Sequence, residues 1–134
     1  MRATSAAAAL CCALLLVACG TSARQKNARK PAQQVADTVA ALQHDLLTRN
    51  WQDICERVFS SDARAQAGGD SCPSFVRHGA AHLRGERIRI RGIVVQNGTA
   101  SVDVTTTAEG QAPVGDTLQL VFEDGRYRVS RLAQ

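Results

Sequence analysis

Five cysteines and three histidines are the side chains of this 134-residue chain best suited to chemistry. His78 and His82 stand four apart, a spacing that sets two imidazoles on one helical face within reach of a single metal ion. His44 is the only other histidine, and no HExxH pattern accompanies the pair. They read as two polar residues flanking an apolar face, and no metal is assigned. Asp103 and Asp45 are the carboxylates that could serve as a base. Asp103 alternates with Val102 and Val104, which puts it on the other side of a strand from the apolar side chains. Asp45 follows His44 and falls near the polar side of the stripe Val35, Val39, Leu42 and Leu46. Neither is joined by the acidic hydrogen-bond donor that acid–base catalysis needs. Phosphate loops, nucleophile elbows and Ser–His–Asp sets are absent. The chain is therefore expected not to be an enzyme and to use no cofactor. Trp51, Phe75, His78 and Tyr127 are the side chains expected to line a pocket, if helices and sheet enclose one. Arg87, Arg89 and Arg91 line one strand face, either as a ligand or head-group patch or as a solvated ladder paired with Asp103.

Charge is distributed unevenly. The formal net charge is +4, yet the first 34 residues hold Arg2, Arg24, Lys26, Arg29 and Lys30 and no acid. Residues 35–134 carry 11 basic and 12 acidic side chains, so the body is close to neutral. A near-neutral body with few aromatics lacks the basic face that phosphates require, which excludes nucleic acid as a partner.

The N-terminus explains three of the cysteines. Met1-Arg2 is a short positive start, and Ala6 to Val17 is uncharged and apolar, too short for a permanent span. It ends in Leu16-Val17-Ala18-Cys19, followed by Gly20, which resembles the lipobox of bacterial lipoproteins. That resemblance implies cleavage before Cys19 and a diacylglyceryl group on its sulfur. Two or more acyl chains suffice for stable anchoring where one does not. The alternative is a plain secretory signal cut elsewhere. Residues 20–34 are polar and read as a tether. Its four positive charges either bind anionic head groups or only keep the linker soluble. The expected organisation is a signal peptide over 1–18, a lipidated cysteine and basic tether over 19–34, and one domain over 35–134. Cys11 and Cys12 would leave with the signal, so Cys55 and Cys72 remain, in an oxidising compartment where an even set usually pairs. A Cys55–Cys72 disulfide is expected. A redox-active pair is the alternative, but no CxxC spacing supports it.

Periodicity supplies the elements that must position these groups. Val35, Val39, Leu42 and Leu46 predict a helix over Pro31–Thr48, with Pro31 in its first turn. Asn50 reads as the N-cap of a second helix carrying Trp51, Ile54, Cys55, Val58 and Phe59, ended by Ser60 and Ser61. Residues 65–70 read as a loop around Gly68-Gly69. A third helix is predicted from Asp70 or Ser71, with Cys72, Phe75, Val76, Gly79 and Leu83 buried and Gly85 closing it. From Glu86 the period becomes two. Gly92 breaks the phase of the first strand, which predicts a bulge or bend. Asn97-Gly98 and Asp124-Gly125 predict tight hairpins, and strands are expected over 100–107, 116–122 and 126–132. The sum is an α+β fold, three N-terminal helices on a curved four-stranded antiparallel sheet.

That order of elements is similar to the cone-shaped fold of nuclear transport factor two, ketosteroid isomerase and polyketide cyclases. Within that group it most resembles small exported lipoproteins of actinobacteria. Trp51-Gln52-Asp53-Ile54-Cys55, Cys72 ahead of the third helix, and the closing run Glu123-Asp124-Gly125-Arg126-Tyr127-Arg128-Val129 carry the resemblance. The resemblance leaves function open, because the fold hosts isomerases, cyclases and protein-binding modules. The leading expectation is an extracytoplasmic lipoprotein, held on the cell membrane through lipid on Cys19, that binds a protein partner or a small apolar ligand. The alternatives are a lipid- or small-ligand-handling protein, an isomerase- or cyclase-like enzyme, and an assembly module that dimerises through its sheet.

Overall fold

The computed structural model describes residues 29–131. The predicted signal peptide, Cys19 and most of the tether lie outside the described residues, as does Leu132 at the predicted end of the last strand. Helix α1 covers Pro31–Thr48, as its periodicity predicts, and begins with Pro at its first position. It ends where Arg49 turns left-handed (φ 58°). The Asn50 side chain then caps α2 (Trp51–Asp53) by accepting from Asp53 N at 3.4 Å. The next turn widens to a π-helical segment, Ile54–Val58, closed by Phe59 N donating to Ile54 O at 2.8 Å. No described helix is long and apolar enough to cross a membrane.

Ser60 starts a further helix where the sequence suggested a stop. Its hydroxyl accepts from Ala63 N at 3.1 Å and caps α3, Ser61–Gln66. Serine favours both loops and N-caps, and here the capping role prevails. A 3-10 turn over Gly69–Ser71 then leads into α4, Cys72–Gly79. This helix ends six residues before the predicted stop at Gly85. Its buried stripe runs through Cys72, Val76 and Ala80, and this spacing of four turns Phe75 outward. Phe75 is 54% exposed, contrary to its predicted burial.

Four strands follow as an antiparallel meander in the order β1-β2-β3-β4: Arg87–Gln96, Thr99–Thr107, Val114–Glu123 and Arg126–Arg131. Both hairpins turn on the predicted pairs. Asn97 and Gly98 adopt φ 49° and 76°, and Asp124 and Gly125 adopt 51° and 79°, as two-residue turns between twisted strands require. The predicted bulge is Arg91. Ile90 pairs with Val104 and Gly92 with Asp103, so Arg91 is the extra residue. This insertion keeps Ile93 and Val95 on the same face as Ile88, opposite Val102 and Ala100.

The helices cover that apolar face. Val35 and Val39 of α1, Ile54, Cys55 and Val58 of the π-turn, and Val102, Leu120, Tyr127 and Val129 of the sheet share one buried cluster. Two polar contacts fasten α1 to both edge strands, as a curled sheet requires. Thr38 Oγ1 donates to Tyr127 O at 2.7 Å, and Gln43 Oε1 accepts from Ile88 N at 2.6 Å. The free edge of β4 is partly occupied, because Ser60 N donates to Val129 O at 2.8 Å.

Candidate functional site

The centre of the cone is filled by side chains. Val35, Ile54 and Val102 have no exposed surface and Leu120 has 1%, so no space for a water molecule adjoins them. Among the described residues, concave space lies instead at the surface, in a hollow and in a groove. One hollow of about 200 Å³ opens where the end of α1 meets the segment after α4, between Leu46, Leu47, Trp51, Leu83 and Glu86. The other, about 410 Å³, is a groove bounded by α1, the π-turn and the β3–β4 hairpin, and it holds Asp37, Thr38, Asp45, Arg57 and Arg126.

The four predicted pocket residues do not converge. Trp51 lines the smaller hollow. Phe75 and His78 stand on the outer side of α4, with His78 Nδ1 at 2.6 Å from Ser74 O. Tyr127 is 5% exposed in the core, edge-to-face with Phe122 at 5.2 Å between ring centres. His82 lies beyond the end of α4, so it does not share a helical face with His78. Among the described residues no group of three or more His, Cys, Asp or Glu side chains could hold a metal ion.

Asp103 points to the open face of the sheet, where its carboxylate accepts from Thr117 Oγ1 at 3.0 Å. The arginine ladder does not pair with it. The bulge at Arg91 brings Gly92 opposite Asp103 and leaves Arg89 opposite Thr105. Arg91 reaches Thr105 Oγ1 at 3.4 Å, and Arg87 and Arg89 are exposed.

The predicted disulfide is present. Cys55, in the π-turn, is bonded to Cys72, which opens α4, with Cα atoms 6.0 Å apart. It ties the two helical segments across α3 and buries both sulfurs in the core.

Asp45 is the residue whose setting departs most from its sequence reading. It is 5% exposed, faces the larger groove, and receives no side-chain hydrogen bond among the described residues. Burial raises its carboxyl above the ordinary 3.8, and repulsion from Asp53 adds to that, while His44 and Arg57 pull the other way. The spacing does contain the signal. Thr38 and Asp45 are seven apart and each lies three beyond Val35 or Leu42, so the buried stripe is wider than its apolar members.

Arg128 was also not apparent from the sequence. Its Nη1 donates to the carbonyl oxygens of Glu56 at 2.7 Å, Phe59 at 3.3 Å and Arg57 at 3.4 Å. It thereby satisfies carbonyl groups at the end of the π-turn from the adjoining strand β4.

No family model and no curated protein matches the sequence. Solved structures match its fold. A candidate NTF2-like transpeptidase from Campylobacter jejuni superposes with a TM-score of 0.52 at 15% identity, over 78% of this chain and 100% of that one. A de novo designed NTF2 fold protein gives 0.55 at 13% identity, over 79% of this chain and 88% of the other. The domain therefore has an NTF2-like fold, and at such identities the likeness speaks of fold alone.

Proposed function

We propose that this chain is an extracytoplasmic lipoprotein, of the kind exported by actinobacteria, whose NTF2-like domain is a non-enzymatic binding module held on the membrane through Cys19. The Cys55–Cys72 bridge carries this reading, because structural disulfides persist in oxidising compartments. It also accounts for the only cysteines beyond residue 19, leaving the lipobox-like Leu16-Val17-Ala18-Cys19 to a separate chemistry. Binding at the surface is favoured over turnover inside the cone. The interior is occupied by apolar side chains, and Asp103, the strand carboxylate, faces outward. A protein partner or a small ligand would then meet the domain at its grooves.

Lipid handling is the second reading. The hollow lined by Leu46, Leu47, Trp51 and Leu83 favours it, with room for an acyl segment rather than a whole lipid.

Expression of the full chain in a bacterium that processes lipoproteins tests the proposal. With an alkyne-tagged fatty acid in the medium, the protein should take up label and sediment with membranes. Cys19→Ala should abolish labelling and shift the chain to the soluble fraction or leave it as uncut precursor. Labelling that survives Cys19→Ala, or a wild-type chain that is unlabelled and soluble, would remove the anchoring claim.

A further inference from the structure

Both hairpins and the start of α1 lie at one end of the domain. Asn97-Gly98 sits beside β3, where Phe122 N donates to Gly98 O at 2.7 Å. Asp124-Gly125 closes the same end, and Gly125 and Arg126 border the larger groove together with Arg29, ahead of α1, and Gln34 in its first turn. The other end of α1 is 18 residues on, about 27 Å away, where Leu47 is followed by Trp51. Phe122 alternates with Leu120, which puts it on the helix-facing side of the sheet. It is nevertheless 47% exposed, whereas its partner across the strands, Tyr127, is covered by α1. A lone exposed apolar side chain needs no explanation, but the surroundings of Phe122 set it apart. Lys30 and Arg126 are exposed at this end. The acids Asp37 and Asp124 are each paired with an arginine, Arg29 and Arg128. Back to Cys19 the sequence adds Arg24 and Lys26 and no acid.

An aromatic side chain among cations is the composition of a surface that meets anionic head groups. Ten residues lead from Cys19 to Arg29, which fully extended reach at most about 33–36 Å. A lipid on Cys19 therefore holds the hairpin end near the bilayer, and α1 sets Leu47 and Trp51 a helix length further from the point of attachment. We propose that the hairpin end docks on an anionic bilayer surface, with Phe122 at the level of the head groups and Lys30 and Arg126 against lipid phosphates. The proposal rests on the anchoring reading above and deepens it by fixing how the domain is oriented. A contact too weak to hold a free domain suffices here, because the anchor makes docking an intramolecular event. The hollow between Leu46, Trp51 and Leu83 then faces away from the membrane.

Tryptophan quenching tests it, because Trp51 is the only tryptophan in the chain. The full chain is purified from a lipoprotein-processing bacterium and reconstituted in vesicles of phosphatidylglycerol and brominated phosphatidylcholine. Two chains are compared in a Trp51→Phe background, Phe122→Trp and Leu47→Trp. The two sites are almost equally exposed, at 47% and 49%, so a tryptophan has the same intrinsic liking for an interface at either. Emission should be lost and shifted to the blue at position 122 and stay unchanged at position 47. Native Trp51 should likewise be unquenched. Adding Lys30→Gln and Arg126→Gln to the Phe122→Trp chain, or raising the salt, should restore emission. If Trp51→Phe does not fold, both variants are made with Trp51 kept and the wild-type emission is subtracted. Equal quenching at both positions, none at 122, or quenching indifferent to charge and salt overturns the proposal. Intact mass separates the two failures. A lipidated chain that is unquenched at 122 overturns the docking alone, and a chain without lipid overturns the anchoring and the docking with it.

Discussion

Replacing Cys55 and Cys72 together by alanine should cost this domain a large part of its stability. The bridge spans 17 residues in sequence, and in the chain-entropy account closing such a loop in the unfolded state is worth about 3 kcal/mol at 25 °C. Both cysteines are buried, at 2% and 0% exposure, so losing the sulfurs also leaves a small void, worth roughly 1 kcal/mol. The sum, about 4 kcal/mol, is large beside the 5–15 kcal/mol total of roughly typical domains. For a domain near 100 residues it corresponds to a fall in Tm of roughly 16–32 °C. Thermal melts and urea titrations of the wild type and the double variant measure this directly. Wild type in excess reductant should fall most of the way toward the variant. Hydrogen exchange should accelerate first in α3 and α4, the segment between the two cysteines, before it accelerates in β2. A loss under about 1 kcal/mol would refute the reasoning, since neither the loop constraint nor the buried sulfurs would then matter.

Asp45→Asn should stabilise the domain at neutral pH. Its carboxyl lies above the ordinary 3.8 in the folded state, so the fold favours the protonated form. The stability linked to this group is present in full below 3.8 and is lost as pH rises through the raised value. The advantage of Asn should therefore appear in urea titrations at pH 7 and vanish near pH 3; an equal advantage at both would contradict the burial argument. Arg128→Ala should cost about 1–3 kcal/mol by leaving the Glu56, Arg57 and Phe59 carbonyls without their shared donor, with Arg128→Lys recovering part. A neutral melt for Arg128→Ala would show that water replaces it. Leu120→Ala, at a site 1% exposed, should cost about 2–5 kcal/mol, and a smaller loss in denaturant titration would mean the cone is less tightly filled than described.

The sequence is legible where one residue type decides the backbone. Pro31 and the 35/39/42/46 spacing delimit α1, and the Asn-Gly and Asp-Gly pairs set both hairpins. Gly92 marked the phase break, although the residue that bulges is its neighbour Arg91. The elements that escaped depend on partners distant in sequence. Ser60 and Ser61 resemble a stop until Ser60 is seen capping Ala63 and Ser61 N donating to Glu123 Oε1 at 3.1 Å. The spacing of Cys72, Phe75, Val76, Gly79 and Leu83 puts Phe75 on the apolar face of α4, but the stripe that packs runs through Cys72, Val76 and Ala80 and excludes it. The π-turn has no pattern of its own. Its widened hydrogen bond at Phe59 is supported by Arg128, 69 residues further on. Asp45 differs from its sequence reading for a related reason: the stripe Val35, Val39, Leu42 and Leu46 leaves it near the polar side, whereas packing against the sheet widens the buried side to take in Thr38 and Asp45.

The most direct test of the account is the intact mass of the full chain after expression in a lipoprotein-processing bacterium and extraction from its membranes. The account predicts a polypeptide beginning at Cys19 that carries a diacylglyceryl adduct and is two hydrogens lighter than its reduced form, from the Cys55–Cys72 bond. A chain that retains residues 1–18, or that is cut at another site and carries no lipid, would contradict it.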